Sequence, residues 1–218
     1  METIQNNYIF YKLKFIFNFI KHFLYNLFVG SYTQKLYHNF LNSIPDNSTV
    51  LDIGIGNGYS LLVNSELIRK KNIKIIGVDI DYESIKQATH NIKEKNLENL
   101  IEVYNENIYN FKEGEYDYIF FSNSYSVIPN IIDMINHIKK KHLKKNGTFV
   151  ISTTIENNYN PIKHIIKPNL KYLTFGIDFG TITLLDKFIN SMCKNKLVIN
   201  FMDHTCHKWY PIWGNIDI

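Results

Sequence analysis

The sequence predicts an α/β fold: a doubly wound, mostly parallel sheet of seven strands with helices on both faces. Three observations carry this. Beyond Pro45, short apolar runs alternate with stretches of helical periodicity, the pattern of repeated strand–helix–strand crossovers. The run "YDYIFFSN" at 116–123 is apolar enough to be buried on both faces, as strands of a parallel sheet are. Finally, "VLDIGIGNGYSLL" at 50–62 passes from strand to helix through Gly54, Gly56 and Gly58. Ligands of open α/β sheets bind at such a turn, where backbone without side chains allows close approach.

Taken in order, Tyr37, Phe40 and Leu41 suggest a short helix ended near Pro45. "TVLDIG" is the first strand and "YSLLVNSELIRK" a helix. "IKIIGVDI" is a strand, followed by the helix "YESIKQATHNIKEK" with Ile85, Ala88 and Ile92 on one face. "LIEVYNE" and "YDYIFFSN" are strands, and "IIDMINHIKKKHL" is a helix through Ile131, Ile132, Ile135 and Ile138. "GTFVISTT" is the fifth strand. Residues 155–180, with Pro161, Pro168, Gly176 and Gly180, read as an irregular insertion. "TLLDKFINSMC" is a helix in which Thr183 and Asp186 resemble an N-terminal capping pair. "KLVINFMDH" and "HKWYPIW" complete the sheet. The lysines of "KKKHLKK" at 139–145 read as a solvated helix end that suits the helix dipole.

The 218 residues suffice for one sizeable core, and 45% hydrophobic with 20% charged residues is an ordinary globular composition. A net charge of +4 is too small for a nucleic-acid specialist. Cys193 and Cys206 form no CxxC pair, so two free thiols in a reducing, cytoplasmic compartment are expected.

Residues 8–29 are very apolar, but Lys12, Lys14, Lys21 and His22 interrupt the run. No small-residue cleavage site follows, and a span would bury the charges, so neither a signal peptide nor a membrane helix is expected. On a helical wheel Lys14, Asn18, Lys21, His22 and Asn26 gather opposite a broad aromatic and aliphatic face. Two readings stay open: a lid packed on the domain, or a helix in peripheral contact with a membrane surface. The expected organisation is therefore an N-terminal amphipathic extension at 1–45 and a domain at 46–218, with 155–180 on the substrate side.

The glycine spacing is G-x-G-x-G after an acid-bearing strand, which differs from the G-x-G-x-x-G dinucleotide fingerprint at its third glycine. "VLDIGIGNG" resembles the first motif of the class I S-adenosylmethionine-dependent methyltransferases. "IIGVDIDYESIKQA", "YNENIYNF", "YDYIFFSNSYSV" and "LKKNGTFVIST" follow in that family's order and spacing. The match is good over residues 48–154 and continues weakly to about 205. The resemblance implies a Rossmann-like methyltransferase fold and S-adenosyl-L-methionine as cofactor.

It also implies a cofactor site. Gly54, Gly56, Asn57 and Gly58 would form the loop, and Asp79 would hold the ribose hydroxyls beside Ile80. Asn107 stands where the family usually has Asp, so either Asn107 or Glu106 would meet the adenine amino group, with Ile108 against the purine. Asn123, after the fourth strand, would be a further cofactor-binding residue. Asp52 is either an acid near the methionine ammonium or a buried acceptor for loop N–H groups. Tyr125 is the candidate catalytic residue, as base or as pocket wall. His204 and His207 are weaker candidates, and a metal site with Cys206 lacks the usual ligand spacing.

No carboxylate cluster follows the fourth strand, so no metal is expected; Ser122-Asn123-Ser124-Tyr125 lacks the prolines of amide- and amine-directed relatives. The expected acceptor is a small molecule or lipid. The alternatives are an RNA or protein acceptor, an NAD-type oxidoreductase, or a catalytically silent partner subunit.

Overall fold

The computed structural model describes residues 30–156, 159–162, 164–166, 169, 183–194, 197–202 and 209–216. The predicted helix at 8–29, His204, Cys206, His207 and most of 155–180 lie outside them.

The first helix, α1 (Ser31–Ser43), precedes β1 (Thr49–Ile53). Two short helices, α2 (Tyr59–Leu62) and α3 (Ser65–Lys71), lead to β2 (Lys74–Asp79). Next come α4 (Tyr82–Glu94), β3 (Ile101–Asn105), β4 (Tyr116–Ser122) and α5 (Ile131–Lys141). The chain continues through β5 (Leu143–Glu156), β6 (Thr183–Leu184), α6 (Leu185–Lys194), β7 (Leu197–Met202) and β8 (Trp209–Ile216). The sheet runs β3-β2-β1-β4-β5-β8-β7, with the two-residue β6 beside β5 as an eighth strand that the sequence did not disclose. Strands β1 to β5 are mutually parallel, and β8 is antiparallel to both neighbours.

Alternation along the central strands divides the core between the two faces. Val50, Ile75, Phe120 and Val150 meet α1 to α4 through Phe40, Leu41, Leu61, Ile68, Ile85 and Ile92. Leu51, Ile53, Ile119, Phe121, Phe149 and Ile151 meet α5 and α6 through Met134, Ile135, Ile138, Phe188 and Met192. Helix α1 is thus part of the core: Phe40 stacks on Phe120 with ring centroids 4.2 Å apart. Among the described residues no helix is long and apolar enough to cross a membrane.

Three local readings are corrected. The helix expected at 59–70 is two helices, because Asn64 leaves helical geometry and its Nδ2 donates to Ser60 O and to Gln34 O on α1. The helix end expected through Lys145 stops at Lys141. Lys144 lies in β5, where its Nζ donates to Asp117 Oδ1 at 2.9 Å. Thr183 pairs with Ile155 in β6, so α6 begins after it and Thr183 is not its cap.

Candidate functional site

Strand order reverses at β1, with β2 and β3 on one side and β4 and β5 on the other. The crevice beyond the carboxyl ends of β1 and β4 is where such a sheet holds a ligand. The loop 54–58 lies at this point. Its glycines have φ of 78°, 61° and 68°, all left-handed.

Two of these glycines do distinct work. A side chain at Gly54 would place its Cβ 2.4 Å from Ser124 Cβ, so glycine there lets the β1 and β4 loops close together. Ser124 Oγ donates to Ile53 O and locks that approach. At Gly56 the Cβ position is open, with no atom within 4 Å. The loop is held from below by Ile55, which is buried against Gly77 of β2. A Cβ on Gly77 would stand 2.4 Å from Ile55 Cδ1. Gly58 N–H donates to Ile55 O, and Asn57 Oδ1 accepts from Tyr59 N–H.

Asp79 ends β2 and faces the loop. Its Oδ2 accepts from Gly56 N–H at 2.8 Å and its Oδ1 from Asp81 N–H at 2.9 Å. Burial pushes this carboxyl above its ordinary value, against the opposing pull of the hydrogen bonds from Asp81 and Gly56. Ile80 beside it is 76% exposed, although it is a large apolar side chain.

Asp52 is fully buried on β1, between Gly77 and Phe120 of the flanking strands. Its Oδ2 accepts from the Tyr37 hydroxyl at 2.8 Å. Its Oδ1 is buried and has no hydrogen-bond partner among the described residues. Burial pushes the carboxyl up to about 7; the Tyr37 hydrogen bond opposes the rise and the Asp79 charge adds to it. The loop amides of Gly54 and Gly56 donate elsewhere, to Val78 O and to Asp79. Asp52 is therefore not the acceptor for these two.

At the far side of the crevice, Glu106 N–H donates to Asp79 O. Glu106 Oε1 accepts from Asn107 N–H, and Asn107 Oδ1 from Tyr109 N–H. Each acceptor oxygen retains a second lone pair. Ile108 is buried in the core on the α5 face.

Asn123 follows β4 in a left-handed conformation, φ 63°, and its Nδ2 reaches Thr33 Oγ1 of α1 at 3.4 Å. Tyr125 lies inside the core, with its ring 5.3 Å from Phe188. Burial holds its hydroxyl above the ordinary phenol value, with a hydrogen bond to Ser191 opposing.

The sequence did not reveal Tyr37, Ser124 or Gly77 as parts of this site. A signal existed for Tyr37: it falls on the apolar stripe of α1, and a buried tyrosine hydroxyl needs a partner. Among the described residues no cluster of three His, Cys, Asp or Glu side chains is placed to hold a metal.

A family model described as a methyltransferase domain matches residues 44–212. The chain is 29% identical over 126 residues to a ribosomal protein L11 methyltransferase of Alkaliphilus oremlandii, covering 58% of this chain and 38% of that protein. It is 27% identical over 141 residues to a protein-lysine N-methyltransferase of Saccharomyces cerevisiae, covering 59% and 60% respectively. The chain thus spans less than two thirds of either relative. Among solved structures it resembles a geranyl diphosphate C-methyltransferase from Streptomyces coelicolor, at a TM-score of 0.67 and 13% identity. That match covers 86% of this chain and 79% of the other. Identity that low shows the shared fold alone.

Proposed function

Because the chain belongs to the class I S-adenosylmethionine-dependent methyltransferase family, we propose that it transfers a methyl group from that cofactor to a small-molecule or lipid acceptor. The observation that carries the reading is the glycine loop facing Asp79, with open space at Gly56 and an orphaned carboxylate oxygen on Asp52. These residues fit a cofactor with a ribose diol, a positive sulfonium and an ammonium group. When bound, the cofactor supplies a methyl group already activated for in-line displacement, so the protein mainly contributes position and desolvation.

Asp79 accepts from the ribose hydroxyls with the lone pairs that Gly56 and Asp81 leave available. Gly54, Gly56, Asn57 and Gly58 let the backbone approach. The ammonium is assigned to Asp52, whose buried Oδ1 has no partner among the described residues. Ile80 offers the purine an exposed apolar surface, and this contact falls to Ile80 because Ile108 is committed to the core. Asn107 or Glu106 meets the adenine amino group. Asn123 is a further cofactor contact after β4, and Tyr125 is a wall near the transferred methyl. No residue is assigned as base; one is needed only when the acceptor carries a proton at working pH.

An apolar acceptor is supported by the residues that follow the carboxyl end of β5. Tyr159, Ile162, Ile165 and Ile166 are all more than half exposed in the segment that follows β5. For the aromatic segment 8–29, which lies outside the described residues, the proposed role is toward the acceptor, as a lid or at a membrane surface. A protein acceptor is the second reading, supported by the names of the two relatives matched in sequence.

Calorimetry with S-adenosylhomocysteine and with NAD tests the cofactor; binding of NAD alone sinks the assignment. Transfer of labelled methyl into the lipid or the protein fraction of an extract separates the two acceptors. Deleting residues 1–29 should abolish vesicle co-sedimentation if that segment works at a membrane, and should leave no such loss if it is a lid.

A further inference from the structure

We propose that Tyr37, on α1, is a positioning residue of the cofactor site: its hydroxyl holds one carboxylate oxygen of Asp52 so that the other is presented to the cofactor's ammonium group. The inference rests on the cofactor reading above and extends the site to a helix that lies before the first strand.

The geometry is specific. Tyr37 Oη donates to Asp52 Oδ2 at 2.8 Å, while Asp52 Oδ1 is buried and unpartnered among the described residues. The hydroxyl is fixed by the docking of α1. The Tyr37 ring lies edge-on to Phe120 at 5.2 Å, and Phe40, one turn later, stacks on the same ring. Lys71 Nζ donates to Leu41 O and Asn42 O at the end of α1, and Asn64 Nδ2 donates to Gln34 O nearer its start. Asn123 Nδ2, beyond β4, reaches Thr33 Oγ1 one turn before Tyr37.

Among the described residues, the groups that act on Asp52 are few. From α1 comes the Tyr37 hydroxyl, which favours the charged form; from β2 comes the Asp79 carboxylate, which disfavours it. Its β4 partner in register is Phe120 and its β2 partner is Gly77, and neither carries charge. A carboxyl buried in this way titrates near neutrality, at about 7. Ammonium binding needs the ionised form, so cofactor affinity should rise with pH up to that value and then level off. Removing the Tyr37 hydroxyl removes the one donor to the carboxylate among the described residues and moves the inflection to higher pH.

The test is calorimetric titration with S-adenosylhomocysteine from about pH 6 to about pH 8.5. The Tyr37→Phe variant keeps the ring on Phe120 and so keeps the fold, which a melting curve checks. It should bind roughly five- to tenfold more weakly than wild type at neutral pH and converge on it at the alkaline end. Asp52→Asn should bind weakly without an inflection, and adding Tyr37→Phe to it should change nothing further. A Tyr37→Phe profile that coincides with wild type overturns the proposal. So does an equal loss at every pH, which would mark a merely structural role. Gly56→Val separates this from the cofactor reading: if it abolishes binding while Tyr37→Phe is silent, only the role of Tyr37 fails. If Gly56→Val binds normally, the site itself is misplaced and the proposal fails with it.

Discussion

Asp79 and Gly56 face each other across 2.8 Å, and they carry different risks when changed. Asp79→Ala removes the acceptor for Gly56 N–H together with those proposed for the ribose. Cofactor binding should weaken by about 1.5–3 kcal/mol, the range for charge-assisted hydrogen bonds, measured by titration with S-adenosylhomocysteine. Gly56→Val should be worse, since it places a branched side chain in the open space at a left-handed φ of 61°. Asp52 behaves in the opposite sense toward stability. Its folded value of about 7 lies above the ordinary 3.8, so the folded state holds a proton that the unfolded state releases. The resulting penalty is absent below the lower value, grows as pH rises between the two, and is complete above the higher. Asp52→Asn should therefore raise stability at about pH 8 by on the order of 2 kcal/mol, and do little at about pH 4, read from melting curves at both. A site acid kept at the expense of stability is what a binding role predicts.

At the scale of elements, the glycine loop depends on β2 as much as on its own residues. Gly77 is invisible as a site residue because its backbone is ordinary strand; its value is the space it leaves for Ile55. Gly77→Val should destabilise the protein by about 1–3 kcal/mol through overpacking and weaken cofactor binding with it. Adding Ile55→Ala removes the obstruction. A denaturation cycle should then give a coupling energy of the sign that marks relief, and additive losses would refute the contact. The elements that sequence reading misplaced share one cause. Asn64 breaks its helix to bond α1, Lys144 joins β5 to meet Asp117, and Thr183 pairs with β5. Each is a local preference overridden by a partner far away in the chain. The strands β1 to β5 were legible as short apolar runs, and α4 as a helical pattern, and these signals need no such partner.

For the whole molecule, Phe120 is the centre of gravity. It lies on the strand beside β1, is fully buried, and carries both Tyr37 and Phe40 of α1. Phe120→Ala should cost about 3–5 kcal/mol in urea unfolding. For a domain of ordinary stability, about 5–15 kcal/mol, that is a large share, and α1 should loosen with it. The sequence by itself determined the α/β class, the glycine turn after β1 and the acid at the end of β2. Those features rest on local periodicity and on residues that one strand–helix–strand unit brings together. Only the tertiary structure decided what closes the site. Strand order sets β4 beside β1, which brings Ser124 to Ile53 across 71 positions. The docking of α1 onto that same strand brings Tyr37 to Asp52. Such contacts follow from which strand lies next to which, and side-chain periodicity along a single chain does not encode that choice.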